Sequence, residues 1–379
     1  MKELRFHGQS IVIGNGSLAR LQSIQSKRAF VVTGGQSMFA NGTIGKIESL
    51  LSEACIEYRV HGGVPANPRP DTIHDGIAAM REFRPDTVIG VGGGSALDAA
   101  KLMAMFYAHP ELEIESAYQG GLPQDRPGIG LICVPGTSGT ASEVTPFAVL
   151  TFPNNSLKMG GKSAALVPDM AILDSELTLS MPAHVAAETG VDALSHAIEC
   201  FTNPGMNEFS DALASGAIEG LFKHLESSVK NADLESREKV HHFQCMAGCA
   251  FSNVGTGLDH GIAHSFGGRF NLGHGLLIAV ALPHVIRFNS RDNWAAERYA
   301  YLARRIGVED IAKAVLSLNR AIGIADSFAK IGIPKDVFER ENNALVENAL
   351  KGSSRVNPRI ASPDEMRDLL ADIFSGKAL

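Results

Sequence analysis

A chain of 379 residues that is 45% hydrophobic has material for more than one buried core, and its size favours two domains. Its 34 lysines and arginines are outnumbered by 41 aspartates and glutamates and lie scattered, so the chain offers no basic face of the kind nucleic acid requires. No apolar window reaches membrane-spanning length, the run Ile11–Gly14 is too short for a secretory signal, and five cysteines without a Cys-x-x-Cys pair suit reduced thiols; the expected location is the cytoplasm.

Short β-branched runs alternate with helical patterns through the first half. Ala29–Thr33 reads as a buried strand, Gly45–Ala54 as a helix, Glu57–Val60 as a strand and Asp71–Phe83 as a helix. Thr87–Val91 follows as a strand, Ala96–Tyr107 as a helix and Ile129–Val134 as a strand, with Phe147–Phe152 and Met170–Leu173 as further strands at the sheet edge. Such alternation predicts a parallel sheet with helices on both faces. After Leu179–Pro182 the texture changes to long amphipathic patterns: His184–Phe201, Phe209–Lys230, Arg237–Phe251 and Asn293–Ile306. Ser362-Pro-Asp-Glu365 is a capping box opening a last helix through Asp372. The expectation is an α/β domain over residues 1–180 and an all-α domain over residues 181–379. His284, in Leu-Pro-His-Val, reads as a structural residue at a helix start.

Gly90-Val-Gly-Gly-Gly94-Ser95 joins a predicted strand to a predicted helix, where a backbone free of side chains and the free N–H groups of a helix start suit a pyrophosphate. The other reading of the motif alone is a tight turn without a ligand. Ser95 stands where the usual fingerprint has its last glycine, and the loop does not follow the first strand, which implies a modified dinucleotide fold. A second loop, Gly136–Thr145, is dense in hydroxyls and follows the Ile129–Val134 strand; it suits ribose, phosphate or carboxamide groups, or is an ordinary turn with an N-cap.

Three of the 13 histidines, His260, His264 and His274, fall in the stretch Gly255–Gly275. Asp192 and His196 stand four apart, as do His260 and His264, so on helices each pair shares one face. One carboxylate and three imidazoles can then converge on one divalent cation, a donor set that suits Fe²⁺ or Zn²⁺ without thiolate.

Taken together, Gly92–Lys101, Pro135–Phe147, Pro168–Asp174, Thr189–Glu199, Gly255–Gly275 and Leu282–Arg287 resemble the iron-containing, group III alcohol dehydrogenases over nearly the whole chain. The resemblance implies a dehydroquinate synthase-like architecture, in which an N-terminal dinucleotide-binding α/β domain and a C-terminal helical domain enclose a metal. It puts the four ligands at Asp192, His196, His260 and His274 and places His264 near the nicotinamide. It puts Gly93, Gly94, Ser95 and Asp98 on the pyrophosphate loop, Thr137, Ser138, Thr140 and Thr145 on the hydroxyl loop, and Asn67 and Lys158 beside the cofactor. Asp259 departs from the family pattern, in which an apolar residue is common, and suggests altered cleft polarity.

NAD-preferring relatives often carry aspartate where this chain has Gly34; with no carboxylate there to repel a 2′-phosphate, Gly34, Gly35 and Ser37 favour NADP over NAD. The expected chemistry is hydride transfer between a small alcohol or aldehyde and NAD(P), aided by Fe²⁺, with Zn²⁺ as the second choice, and with His264 moving the alcohol proton. Phe147, Phe251, Phe266 and Phe270 are candidates for lining the substrate cleft. By analogy with the family the chain is expected to form a homodimer. The alternatives on the same architecture are a sugar-phosphate cyclase, which needs a more basic cleft than these motifs supply, and a zinc-dependent polyol dehydrogenase.

Overall fold

The runs Ala29–Thr33 and Thr87–Val91 are buried along their whole length, as central strands of a parallel sheet must be. The computed structural model describes residues 3–152, 157–270 and 272–378, and divides the chain into two compact units, Met1–Met181 and Pro182–Leu379.

The first unit contains β1 (Ser10–Ile13), β2 (Arg28–Thr33), α1 (Ser37–Ala40), α2 (Thr43–Glu53), β3 (Glu57–His61), α3 (Pro70–Phe83) and β4 (Thr87–Gly92). It continues with α4 (Gly94–Ala108), α5 (Ile114–Gly120), β5 (Gly130–Pro135), β6 (Phe147–Phe152), β7 (Leu157–Lys162) and β8 (Met170–Leu173). Six strands pair in parallel in the order β1-β8-β5-β4-β2-β3. Successive side chains serve opposite faces. Phe30 and Val32 join Ile73, Met80, Leu97 and Met103 in one core, while Ala29 and Val31 join Ile44, Ile47, Leu51 and Ile89 in the other.

From β2 the chain steps to β3 on one side, and β4 then takes the other side of β2, in register from Ala29 opposite Thr87 to Thr33 opposite Val91. That reversal makes the carboxyl ends of β2 and β4, at Thr33 and Gly92, a topological switch point, the place where open α/β sheets take their ligands. β6 and β7 form a separate antiparallel hairpin in which Thr151 pairs with Lys158.

The second unit is helical: α6 (Ala183–Phe201), α7 (Glu208–Lys230), α8 (Leu234–Val254), α9 (Leu258–Phe270), α10 (His274–Asn289), α11 (Asn293–Ile306), α12 (Ile311–Ala321), α13 (Lys335–Ala349) and α14 (Pro363–Ser375). The capping box at Ser362 and Glu365 forms at the start of α14. α8 begins three residues before the expected Arg237, because Asp233 accepts a bond from the Ser236 amide and caps it.

A helix start at His284 is not what forms. Pro283 and the buried His284 lie inside α10, which begins at His274. Proline removes the N–H that would bond the carbonyl four residues back, and here that carbonyl, Ala279 O, accepts instead from Asn319 Nδ2 of α12 at 2.5 Å. A side chain from a neighbouring helix thus satisfies the group that proline strands.

Candidate metal centre and cofactor loops

Three helices of the second unit bring three of the expected ligands together. Asp192 lies in the middle of α6, His260 in the first turn of α9, and His274 is the first residue of α10. Asp192 Oδ1 is 3.7 Å from His260 Nε2 and 3.7 Å from His274 Nε2, and one donor atom from each of the three residues lies within 4.8 Å of the others. The approach of α10 to α6 depends on Gly275: a β-carbon there would come within 2.4 Å of the Glu188 carbonyl oxygen, one turn before Asp192.

Asp192 Oδ1 and His260 Nε2 are buried and neither has a hydrogen-bond partner. Burial, with the nearby Glu199 adding to it, pushes the Asp192 carboxyl up to about 8, and burial pushes His260 down to about 3. Burial alone favours the protonated carboxyl, yet at 3.7 Å no hydrogen bond joins it to the bare His260 nitrogen, whereas a shared cation would favour the carboxylate and satisfy both atoms. The buried Asp192 carboxylate and His260 imidazole, with the partly exposed His274, fit a divalent ion of the Fe²⁺ or Zn²⁺ type.

His196 stands one turn after Asp192 and is buried, but it is not one of the three residues whose donor atoms converge. Its ring stacks on Phe251 with centroids 4.2 Å apart and lies 4.4 Å from the His260 ring. His264 is exposed, and its ring stacks on His274 at 5.2 Å. Of the four aromatics expected to line a cleft, Phe251 touches the cluster; Phe266 is fully buried and packs on Phe328, Phe338 and Phe270 as core.

Glu199 carries a contact that the reading of the sequence left unassigned. Its Oε2 accepts from His260 Nδ1 at 2.6 Å, and its Oε1 accepts from the Asp259 amide at 2.6 Å. The bond fixes the tautomer of His260, with the proton on Nδ1 and the lone pair of Nε2 turned toward Asp192. Burial raises Glu199 to about 7 despite the backbone amides that favour its charge. The signal was present: Asp192, His196 and Glu199 fall at i, i+4 and i+7, one face of α6. Asp259, next to His260 in sequence, lies in the interior of the helical unit. It is fully buried, Ser195 Oγ donates to its Oδ2 at 2.6 Å, and burial followed by the charge of Glu199 holds its carboxyl well above the usual range.

The first unit assembles the loops at its switch point. Gly92 turns at φ 127° and Gly93 precedes α4 with no side chain capping the helix start. Amides at such a start are available to an anion. A β-carbon on Gly94 would meet the Thr140 methyl at 2.8 Å, so the hydroxyl loop packs directly on the glycine loop, with Thr137 beside Gly93. Gly136 N donates to Gly92 O at 2.9 Å, and Asn67, in the left-handed region at φ 62°, donates its amide to Ser95 Oγ at 3.3 Å. Ser138 is buried within the hydroxyl loop.

Gly34 follows β2, its carbonyl accepting from Gly63 N at 2.8 Å, and Ser37 opens the single turn α1 with its side chain exposed. Lys158 is half-buried on β7, and burial lowers its amine below the ordinary value. Asp98 and Thr145, expected beside the cofactor, are tied into the base of the hydroxyl loop. Asp98 accepts from Ser142 Oγ at 2.5 Å and from Val149 N at 3.0 Å, and Thr145 accepts from Lys101 Nζ through both its carbonyl and its hydroxyl, so these two hold the loop from behind.

Comparison with known proteins agrees with this geometry. The family described as iron-containing alcohol dehydrogenase matches residues 8–175, and the C-terminal part of the Fe-containing alcohol dehydrogenase family matches residues 186–374. The NADPH-dependent butanol dehydrogenase of Clostridium saccharobutylicum is 37% identical, covering 97% of each chain. The aldehyde-alcohol dehydrogenase of Streptococcus pneumoniae is 36% identical over 95% of this chain, which spans 44% of that longer protein. An iron-containing alcohol dehydrogenase of Thermococcus thioreducens superimposes over 100% of both chains with a TM-score of 0.92 and 33% identity. Residues 8–175 and 186–374 account for both units, and the chain belongs to the iron-containing alcohol dehydrogenase family.

Proposed function

We propose that the chain interconverts a small alcohol and its aldehyde with NADP(H), using a divalent ion held by Asp192, His196, His260 and His274. The observation that carries the reading is the buried Asp192 Oδ1, without a hydrogen-bond partner and 3.7 Å from the Nε2 atoms of both His260 and His274. When bound, a divalent ion supplies Lewis acidity, lowering the pKa of an alcohol and polarising a carbonyl. Iron is the choice that fits the family, and the donor set also accepts zinc. His196, stacked on Phe251 and with its ring 4.4 Å from that of His260, is the fourth ligand by resemblance to the family.

Glu199 keeps His260 neutral at Nε2. His264, exposed and stacked on His274, takes the proton of the substrate alcohol and passes it to water. A bound NADP⁺ would supply the hydride acceptor for the carbinol carbon, so that each alcohol oxidised would give one aldehyde, one reduced dinucleotide and one proton. The glycine loop Gly93–Ser95 receives the pyrophosphate at the start of α4, and Asn67, Thr137, Ser138, Thr140 and Lys158 border the same dinucleotide. The absence of a carboxylate at Gly34, with the Ser37 hydroxyl exposed nearby, supports NADP, as does the NADPH dependence of the butanol dehydrogenase relative. A cytoplasmic homodimer completes the reading by family analogy; among the described residues no helix is long and apolar enough to cross a membrane.

The test is a spectrophotometric screen of primary alcohols and aldehydes with NADP(H) and NAD(H), on protein reconstituted with Fe²⁺ or Zn²⁺. NADPH oxidation by a short-chain aldehyde is the expected outcome. No turnover with either cofactor and either metal would remove the proposal.

A further inference from the structure

Lys101 stands two turns into α4 with its side chain 0% exposed. Its Nζ lies 2.8 Å from Ser142 O, 2.9 Å from Thr145 O and 2.6 Å from Phe147 O, and also 3.0 Å from Ser142 Oγ and 3.3 Å from Thr145 Oγ1. All five oxygens belong to the stretch that leaves the hydroxyl loop and enters β6.

Donor arithmetic settles the charge. Carbonyl oxygens only accept, and three carbonyls at bonding distance need the three hydrogens of an ammonium; a neutral amine would leave one unserved. Ser142 Oγ gives its own hydrogen to Asp98, so it too faces Lys101 as an acceptor. Burial pulls the amine below its ordinary value, and Asp98, on the same helix face, pulls it back. A compact positive charge ringed by carbonyl and hydroxyl oxygens is the donor set of a monovalent metal ion whose hydration shell the protein has replaced.

We infer that the Lys101 ammonium is a covalently tethered cation that templates the 136–147 loop, making Lys101 a positioning residue for the dinucleotide. The route is short. Lys101 holds the Ser142 carbonyl, the Ser142 amide donates to Thr140 Oγ1 at 3.3 Å, and Thr140 packs on Gly94 at the start of α4. The inference rests on the proposed use of this loop for the cofactor.

Replacing Lys101 by alanine removes the equivalent of n-propylammonium, which makes chemical rescue the test. In Lys101→Ala, deuterium uptake by the 136–147 peptide is expected to speed up and the Kd for NADPH to rise about tenfold or more. Metal content should stay unchanged. Added n-propylammonium chloride should reverse both changes, whereas tetramethylammonium at equal ionic strength should reverse neither. Unchanged exchange in the variant, or no response to n-propylammonium, overturns the inference. If the variant is insoluble, expression and refolding with n-propylammonium must recover soluble protein, and failure there overturns it as well. Exchange that changes and is rescued while NADPH binding is unaffected keeps the templating cation but removes the cofactor assignment of the loop.

Discussion

Glu199 Oε2 lies 2.6 Å from His260 Nδ1, with both side chains buried in the helical unit. The contact leaves His260 one proton and one lone pair in fixed places. Outer partners of this kind set the affinity of a histidine ligand. Glu199→Ala is expected to weaken Zn²⁺ binding about 10- to 100-fold, read by competition with a chromogenic chelator. Glu199→Gln keeps an acceptor oxygen and should recover most of the loss. Equal affinities in the wild type and Glu199→Ala would show that the bond is merely structural.

His264 and His260 lie on the same side of α9 yet have different surroundings, one exposed and the other buried beside Asp192. His260→Ala and Asp192→Ala should lose the metal altogether, as measured by elemental analysis. His264→Ala should keep it while kcat falls about 100-fold, the usual worth of a positioned proton carrier. Metal loss in His264→Ala would move that residue into the ligand set.

At Gly34 an added β-carbon meets nothing closer than the Val64 carbonyl oxygen at 3.7 Å, ordinary contact. Gly34→Asp should therefore fold and place a carboxylate at the end of β2, where it repels a 2′-phosphate and accepts a ribose hydroxyl. The ratio of kcat/KM for NADP to that for NAD is expected to drop about tenfold or more, which corresponds to about 1.4 kcal/mol. An unchanged ratio would put the adenosine ribose elsewhere.

Asp86 ties the start of β2 to β4 by accepting from Ser26 Oγ at 2.6 Å, Lys27 N at 2.8 Å and Thr87 Oγ1 at 3.1 Å. Partial burial works against its charge, but these hydrogen bonds outweigh it and hold the carboxyl below its ordinary value. A depressed folded pKa means that the stabilisation is complete above the unfolded aspartate value and disappears as pH falls through the folded one. Asp86→Asn should cost about 1 kcal/mol at neutral pH, a figure discounted for solvent exposure. Urea denaturation repeated into the acid range should show the gap closing. A gap that widens with acid would reverse the assignment.

The interior strands could be read from sequence because burial on both faces leaves continuous apolar runs such as Phe30–Val32 and Val88–Val91. β1 and β7 could not. The first is four residues long at a sheet edge, and the second carries Gly160, Gly161 and two lysines, with no apolar alternation, and owes its pairing to the hairpin. The His and Asp spacings of the metal cluster pointed to the faces of α6 and α9. Distance along the chain hid the rest, since the helix through Pro283 is completed by Asn319, 40 residues from the Ala279 carbonyl that it serves, and the role of Glu199 depends on His260, 61 residues away. Nothing local marks Lys101 as buried, because the carbonyls that hold it belong to Ser142, Thr145 and Phe147, more than 40 residues further along the chain.

The converging atoms of Asp192, His260 and His274 come from three separate helices, two of them held apart by a long intervening stretch of chain. Any ion they share acts as a crosslink that exists in the native state and not in the unfolded one, so its binding energy adds to the resistance of that bundle to heat. Loss of the ion would then do more than stop turnover: it would release α10 from α6 and make the metal-depleted enzyme the first form a protease could cut.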